Sequence, residues 1–433
     1  MKEELSPPKG FRDFSPEDEI LRSEVFSRIE KVFQKYGFDP IETPIVERWE
    51  VLSGKYGEEA ENRMIWRFKL PYSEKEFGLR YDLTVPLARF VARFNPRFPF
   101  KRYQIGRVFR YEDPQKGRYR EFWQCDVDIV GETSPLADAE ILNVVIDVFE
   151  EFNIRSYTII LNDRRILREI FEKFLGIKDY YTILKIYRII DKLDKIGKEK
   201  VVSILKELNL GEKVLQQIES FINTSKLSNE EIFRYLEKFD SNEMKIVVES
   251  LKTILDFSKR KERVKIDLSL VRGLDYYTGM IFEVVVNEPK IGSLAGGGRY
   301  DNLIEIFAGG KIPAVGGSIG VERLIDTGLE LKIFKKEKKT YSKVGIVYTN
   351  EVDIKKVWEI ANYLRNNGVN TFVAFEEYSG ILDGIKDLDK RGIEFALIVG
   401  KKEMEEGKLT LQNLKTRERF CVNLEDIEKI VNR

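Results

Sequence analysis

The sequence predicts an α+β fold in which an antiparallel sheet, interrupted by a helical insertion, precedes a separate α/β unit. Between Met64 and Gly131, strand-like runs follow one another with little helix between most of them, which favours antiparallel pairing. From residue 164 to residue 263, apolar residues recur at helical spacing. After residue 343, short apolar strands alternate with helical segments. With 433 residues, the chain has room for about two to four domains.

Changes in this pattern define the expected domain boundaries. The sheet domain takes residues 1–163 and resumes at residues 264–333, after the helical insertion at residues 164–263. The lysine-rich segment 334–343 is predicted to be a linker. Residues 344–433 are predicted to form the final α/β unit.

The individual elements follow from local signals. The first helix is predicted to begin after Ser15, whose side chain can cap it, with Pro16 at its first position and Gly37 at its end. The extended segment that follows contains Pro44, which suggests a sheet edge or an interface and not a central strand. The predicted strands are then MIWRFKL, EFGLRYDLT, KRYQIGRVFRYE and EFWQCDVDIVG, and after the insertion VKIDLSLV, MIFEVVV and AVGGSIGV.

The composition limits the possible chemistry. The chain has 73 Lys and Arg residues, 73 Asp and Glu residues and no histidine. A net charge of zero neither supports nor excludes a nucleic-acid partner, because a contact with a polyanion must come from a local patch. Without histidine, the protein cannot supply imidazole as a general base or as a metal ligand. Its chemistry must therefore use other side chains, oxygen-bound metal ions or groups of the substrate.

Two further features concern the compartment. Cys125 and Cys421 lie far apart without Cys-x-x-Cys spacing, which argues against a disulfide framework and a thiolate zinc site. The start of the sequence has no apolar core, and no run of about 18 apolar residues occurs, so neither a secretory signal nor a spanning helix is predicted. We therefore expect a cytoplasmic protein with no membrane partner.

Several segments contain candidate functional residues, most of them with a structural alternative. In LRYDLTVPLARF, Asp82 and Thr84 could simply cap a helix beginning near Pro86. RYEDPQKGRYREF could be a solvated basic hairpin, although Arg110 ends an inward-facing strand, where a charge needs an anion. AGGGRYD lacks the spacing of a phosphate-binding loop, and Arg323 in GGSIGVERL could be a surface cation. LVRGLDYYTG is harder to explain, because an arginine and two phenols end an apolar strand.

Together these segments resemble the histidyl-tRNA synthetase family of class II aminoacyl-tRNA synthetases over the whole chain. The first helix and the Pro44 segment are similar to the first class motif, which builds the dimer interface. FRYEDPQKGRYREF is similar to the second motif and GGSIGVERL to the third, while LVRGLDYYTG and AGGGRYD resemble two segments peculiar to the histidine enzyme. The resemblance implies a class II catalytic domain and a C-terminal anticodon-binding domain.

The resemblance also implies an activity. The protein would be a homodimeric ligase of protein biosynthesis that acts on L-histidine, ATP and tRNA(His). Histidine would attack the α-phosphorus of ATP to give histidyl-adenylate, and the 3′-terminal adenosine of the tRNA would then take the histidyl group. Because the reacting groups belong to the substrates, positioning and charge stabilisation can supply most of the acceleration. Mg²⁺ would bridge the phosphates, and no residue is assigned as its ligand.

Residue roles carry over from the same resemblance. Arg110 and Arg272 would be catalytic, because a guanidinium suits the α-phosphate and the carboxylate. Histidine has donors at its ammonium group and its ring, so its site needs acceptors at both ends. The expected histidine-binding residues are Asp82, Leu83, Thr84, Arg110, Gln124, Asp128, Arg272, Tyr276 and Tyr277. ATP would bind to Arg110, Glu112, Phe122 and Arg323, and the tRNA acceptor stem would contact Lys116, Arg118 and Arg120.

The main alternative is a non-catalytic regulatory paralogue of ATP phosphoribosyltransferase. Such relatives typically lack the anticodon unit and parts of RGLDYY, whereas this chain keeps both. A tRNA-binding or sensor module without activity would not need all four of the polar site residues Asp82, Arg110, Asp128 and Arg272.

Overall fold

The structure is a computed structural model that describes residues 5–190, 196–208, 210–270, 276–289 and 291–432. Contacts divide the chain into a first unit, Met1–Arg12 with Val25–Phe334, and a second unit, Asp13–Glu24 with Lys335–Arg433. The boundaries expected on either side of the helical insertion lie within the first unit and stay predictions. Among the described residues, none of the helices combines the length and the apolar character that a membrane span requires.

A large antiparallel sheet forms the centre of the first unit. The strands are β1 Asp39–Pro40, β2 Val46–Arg48, β3 Arg67–Lys69, β4 Glu76–Leu79, β5 Phe100–Phe109, β6 Glu121–Val130, β7 Tyr157–Asp163, β8 Val264–Ile266, β9 Met280–Val286, β10 Ala295–Arg299 and β11 Ala314–Gly320. The order in the main sheet is β1-β5-β6-β11-β10-β9-β7-β8, and β2-β4-β3 form a small sheet. Within these two sheets, only the pairs β1–β5 and β7–β8 of the described strands are parallel. The predicted antiparallel sheet is thus confirmed.

Helices precede, separate and follow these strands in the sequence, and several lie in the predicted insertion at residues 164–263. They are α1 Pro16–Lys35, α2 Trp49–Leu52, α3 Glu58–Arg63, α4 Thr84–Phe94, α5 Pro135–Glu151, α6 Arg164–Arg168, α7 Tyr180–Ile190, α8 Lys198–Lys206, α9 Glu212–Asn223, α10 Asn229–Leu236, α11 Asn242–Phe257, α12 Glu305–Ala308 and α13 Val321–Glu330. A π-helix, Glu169–Phe174, continues α6. The start of α1 is as predicted, because Ser15 Oγ accepts the Asp18 N–H at 3.3 Å.

Two strands differ from the pattern in the sequence. The run VKIDLSLV predicts a longer strand than β8, which ends at Ile266 because Asp267 Oδ1 accepts the Ser269 N–H at 2.9 Å and turns the chain. AGGGR forms β10 in the interior of the sheet, although glycine disfavours strands. Here glycine is required by close packing, since a Cβ at Gly297 would collide with the Gly316 carbonyl oxygen of β11.

The second unit contains the predicted α/β domain. Its strands are β12 Val344–Tyr348, β13 Thr371–Val373, β14 Phe395–Val399, β15 Leu409–Asn413 and β16 Arg419–Val422. Its helices after residue 334 are α14 Ile354–Asn366, α15 Ile381–Lys390, α16 Lys401–Glu406 and α17 Ile427–Val431. The sheet order is β13-β12-β14-β15-β16, with β12 parallel to both of its neighbours. Buried apolar residues of β12, β14 and α14 form its core.

The two faces of the main sheet differ. One face packs against α5, since a Cβ at Gly317 would lie 3.2 Å from Ile141 and 3.4 Å from Val145. Successive strand residues point to opposite faces, so Gly316 and its cross-strand partner Asp128 belong to the other face. We call this the polar face, and its central residues are Arg102 and Gln104 of β5, Gln124, Asp126 and Asp128 of β6, and Gly316 and Ser318 of β11.

Candidate active site

Asp128 lies near the centre of the polar face. Its Oδ2 is 2.7 Å from Arg102 Nη2, in an ion pair whose two side chains are 4% and 0% exposed, and its Oδ1 accepts the Tyr300 O–H. Burial raises the pKa of Asp128, while Arg102 and Tyr300 lower it. Gly316 leaves room for this carboxylate, because a Cβ there would collide with Oδ1. Asp128 is therefore held in one position by three neighbours.

Asp82 accepts four hydrogen bonds just before α4. Its Oδ1 accepts the N–H groups of Thr84 at 3.1 Å and Val85 at 3.0 Å, as in a helix cap. Oδ1 also accepts the Tyr56 O–H at 2.9 Å, and Oδ2 accepts the Tyr276 O–H at 3.2 Å. Burial raises the pKa of Asp82 in spite of these donors. The capping role that the sequence suggests for Asp82 is thus real, and the same carboxylate belongs to the site.

Leu83 is fully buried, and its side chain belongs to the core. Its carbonyl oxygen accepts a hydrogen bond from Arg102 Nη2 at 3.3 Å. Thr84, the next residue, is also buried. Leu83 thus connects the segment before α4 to the Arg102–Asp128 ion pair.

Gln124 and Asp126 are the next residues of β6 on the polar face, and Ser318 of β11 connects them. Gln124 Nε2 donates to Ser318 Oγ at 2.7 Å, and the buried Gln124 Oε1 has no partner among the described residues. Ser318 lies opposite Asp126 in the register of β6 and β11. Burial raises the pKa of Asp126 to about 7, against the effects of Arg102 and Ser318.

Tyr276 and Tyr277 are neighbouring aromatic residues, and Tyr276 contacts Asp82. Each is 9% exposed, and their ring centroids are 4.9 Å apart. Burial raises the pKa of Tyr276 well above its ordinary value, and Tyr277 and Asp82 add to the shift. The phenol therefore keeps its proton at neutral pH and donates to Asp82. The predicted Arg272 lies outside the described residues.

Arg110 follows β5 and lies against two aromatic rings. Its guanidinium carbon is 4.3 Å from the Tyr81 ring centroid and 5.1 Å from that of Phe122. Nε donates to the Tyr81 carbonyl oxygen at 3.1 Å. This is the only hydrogen bond of the guanidinium to a described residue, so both Nη groups are available for an anion.

Arg323 of α13 is held by two carbonyl oxygens. Nε donates to Gly117 at 2.8 Å and Nη1 to Ser293 at 2.7 Å. Burial lowers the pKa of Arg323, and the neighbouring Arg118 and Arg110 lower it further. This concentration of positive charge suits a polyanion.

The other predicted residues lie on the loop between β5 and β6. Glu112 is 4.0 Å from Arg118, and its carbonyl oxygen accepts a hydrogen bond from Arg120 Nε at 3.1 Å. Lys116 pairs with Glu330 of α13. This loop therefore lies beside Arg323 and does not contribute to the aspartate cluster of the polar face.

The comparisons with known proteins agree with this geometry. A family model described as histidyl-tRNA synthetase matches residues 10–324, and a model described as an anticodon binding domain matches residues 343–433. The chain belongs to the histidyl-tRNA synthetase family. The histidine–tRNA ligase of Aeropyrum pernix is 49% identical over 430 residues, which cover 99% of this chain and 98% of that relative.

Solved structures show the same relationship. The crystal structure of histidyl-tRNA synthetase from Nostoc sp. PCC 7120 matches with a TM-score of 0.83 and 32% identity over 99% of each chain. An ATP phosphoribosyltransferase regulatory subunit/histidyl-tRNA synthetase from Bacillus halodurans C matches with a TM-score of 0.74, covering 92% of this chain and 98% of that one. Its 20% identity shows a shared fold alone. The regulatory alternative is therefore not favoured.

Within this histidyl-tRNA synthetase fold, five polar-site residues were not predicted from the sequence: Tyr56, Arg102, Asp126, Tyr300 and Ser318. A signal was present for Asp126, because strand alternation places it on the same face as two predicted residues. No local signal identifies Tyr56 or Arg102, whose partners are distant in sequence.

The described residues assign no ligand for Mg²⁺. Among them, no three His, Cys, Asp or Glu side chains are grouped so that they could hold a metal ion. Mg²⁺ commonly takes one or two carboxylates together with water and substrate phosphate oxygens.

Gly316→Ala is expected to lower the free energy of unfolding by about 1–3 kcal/mol, the usual cost of overpacking. The new Cβ would collide with Asp128 Oδ1, so either the carboxylate or β11 must move. Urea unfolding measures the effect. Gly310→Ala is the control, because no atom lies within 4 Å of its added Cβ. Equal stability of the two variants would show that Gly316 does not constrain the carboxylate.

Proposed function

We propose that this protein attaches L-histidine to the 3′-terminal adenosine of tRNA(His), after forming histidyl-adenylate from histidine and ATP. The observation that carries this proposal is a cluster of buried acceptors next to a group of arginines. Arg110 lies close to both groups. Burial raises the pKa of Asp82 and the positive charge of Arg110 lowers it, and the same charge lowers the pKa of Arg323. The acceptors suit a cationic amino acid and the arginines suit a triphosphate.

Histidine would bind with its ammonium group at Asp82, Thr84 and Gln124. The buried Gln124 Oε1 has no partner among the described residues, and an ammonium N–H would satisfy it. The imidazole ring would lie at Asp128 and Tyr277, with Tyr276 lining the pocket. An apolar amino acid of similar shape would leave these buried acceptors unpaired, so it would be rejected strongly.

ATP would bind on the arginine side of the site. Adenine would stack between Phe122 and Arg323, with its amino group at Glu112, and Mg²⁺ would accompany the phosphates. When the histidine carboxylate attacks the α-phosphorus and pyrophosphate leaves, negative charge grows on the α-phosphoryl oxygens. Arg110 would stabilise that charge through its two Nη groups, and the orientation of its guanidinium by the Tyr81 carbonyl oxygen supports this role. By the same resemblance, Arg272 would lie between the carboxylate and the α-phosphate and stabilise the charge as the bond forms.

The remaining partners are proposed from the same resemblance. Lys116, Arg118 and Arg120 would contact the acceptor stem, and residues 344–433 would bind the anticodon. A homodimer would form through the Pro44 segment, and the exposed apolar residues Ile45 and Val46 support this. The protein would act in the cytoplasm.

Histidine-dependent ATP–pyrophosphate exchange tests the proposed function. We expect exchange with L-histidine and none without amino acid or with L-phenylalanine or L-leucine, followed by charging of tRNA(His). Because exchange reports adenylate formation alone, it tests the first step independently of the tRNA. Binding of histidine without any exchange would favour the regulatory paralogue.

A further inference from the structure

Asp126 has no role in the chemistry proposed above, yet it occupies the middle of the polar face. It is 2% exposed, and its Oδ1 has no hydrogen-bond partner among the described residues. No ion pair with a described residue includes it, whereas its neighbour Asp128 is paired with Arg102. A buried carboxylate without a salt bridge destabilises a fold. A scaffold role therefore does not explain this residue.

Ser318 connects Asp126 to the proposed substrate contact Gln124. Its Oγ accepts the Gln124 amide N–H at 2.7 Å. Ser318 also lies opposite Asp126 in the register of β6 and β11, and its hydroxyl lowers the pKa of that carboxyl. A hydroxyl group has one proton, and an ionised carboxylate can only accept. While Asp126 is ionised, Ser318 must therefore donate to Asp126 and accept from Gln124. This fixes Gln124 with Nε2 towards Ser318 and Oε1 away from it.

We propose that Asp126 is a positioning residue for the amino group of the substrate, acting through Ser318 to hold the Gln124 carbonyl oxygen towards that group. The inference rests on the proposed function, which assigns Gln124 to the histidine ammonium group. If the amide turned by half a rotation, Gln124 would present N–H donors to the ammonium donors, and binding would weaken. The Asp126–Ser318–Gln124 chain prevents this rotation.

Protonation of Asp126 would release the constraint. A protonated carboxyl can donate to Ser318, whose own proton is then available for the Gln124 carbonyl oxygen, so both amide orientations become possible. Burial raises the pKa of Asp126 to about 7, with Arg102 and Ser318 opposing and Asp128 and Asp82 adding to it. The charged groups that face Asp126 are Arg102 of β5, Arg80 after β4, Asp128 on its own strand and Asp82 before α4. Histidine affinity should thus increase as pH rises through about 7.

Calorimetric titration of the full chain with L-histidine tests the relay. We expect Asp126→Asn and Ser318→Ala each to weaken binding about tenfold at about pH 8.5, the loss typical of a hydrogen bond to a charged group. At about pH 5.5 the wild type should bind no better than Asp126→Asn, because its own carboxyl is then protonated. The ratio of wild-type to variant affinity at each pH is unaffected by the titration of histidine itself, because the same ligand binds to both proteins. Ser258→Ala, which removes a buried hydroxyl elsewhere in the first unit, is the control and should bind as the wild type does.

The outcomes separate this inference from the proposed function. A pH-independent ratio of wild-type to Asp126→Asn affinity would indicate a merely structural effect and overturn the inference. A loss with Asp126→Asn but none with Ser318→Ala would also overturn it, because the carboxylate would then act through space. Gln124→Ala with unchanged affinity would contradict the assignment of Gln124 itself. In the double variant Gln124→Ala/Asp126→Asn, a loss of affinity smaller than the sum of the two single losses in free energy would support the relay.

Discussion

Arg110→Ala is expected to reduce the rate of ATP–pyrophosphate exchange by about a hundredfold to a thousandfold, the usual loss when a transition-state donor is removed. The guanidinium is oriented by Nε, which donates to the Tyr81 carbonyl oxygen, and by the ring of Phe122 at 5.1 Å. Its Nη groups make no hydrogen bond to a described residue, and in the proposed reaction they would stabilise the charge that grows on the α-phosphoryl oxygens. Arg110→Lys should recover only part of the rate, because an ammonium lacks the two parallel donors.

The matched control for this prediction is Arg107→Ala, three residues earlier and within β5. Arg107 Nη1 pairs with Glu121 at 3.1 Å, and its side chain is 50% exposed. Surface ion pairs of this kind contribute little, so its exchange rate should stay within about twofold of the wild type. Comparable losses in both variants would show that general positive charge on β5, and not the oriented guanidinium of Arg110, supports the reaction.

Asp128→Asn is expected to lower the free energy of unfolding by about 3–5 kcal/mol, because it leaves the Arg102 charge buried and unpaired. Arg102 is fully buried, and Asp128 is its ion-pair partner at 2.7 Å. Asparagine keeps the shape of the side chain, so the effect comes from the charge. Urea unfolding at about pH 8, followed by circular dichroism, measures the change.

Asp126→Asn on the same strand is the matched control and should have the opposite sign. Burial raises the pKa of Asp126 from 3.8 to about 7 in the folded state. Between these values the folded state holds a proton that the unfolded chain has released, so this stabilisation is full at low pH and is lost as pH rises to about 7. At about pH 8 the variant should therefore be more stable by roughly 2–4 kcal/mol. Destabilisation of both variants to the same extent would contradict the distinction between a paired and an unpaired carboxylate.

The strand β6 shows how far sequence reasoning leads at this site. The run EFWQCDVDIVG predicts the strand, which the structure confirms. Gln124 and Asp128 lie on one face of it because side chains alternate along a strand. Local signals suggest Asp82 or Thr84 as a cap of the next helix. Asp82 accepts the N–H groups of Thr84 and Val85 just before α4, whereas Thr84 is the first residue of that helix. The family resemblance then supplies the roles of these residues, which stay predictions.

Other features depend on contacts that local sequence does not encode. Arg102 becomes the partner of Asp128 only through the register of β5 and β6, and Tyr56 reaches Asp82 from a separate segment. The glycine-rich strand β10 was not predicted, because its propensity is poor and its reason is the close approach of Gly297 to the neighbouring strand. Tertiary packing determines these contacts and the position of this strand.

The double role of Asp82 has an evolutionary consequence. The carboxylate that would recognise the substrate amino group also holds the first turn of α4 through the N–H groups of Thr84 and Val85. Mutations that alter recognition at this position therefore also remove a helix cap, at a cost of about 1 kcal/mol. A lineage that changed its substrate through this position would have to regain that stability elsewhere. One side chain thus links the stability of the fold to the substrate specificity.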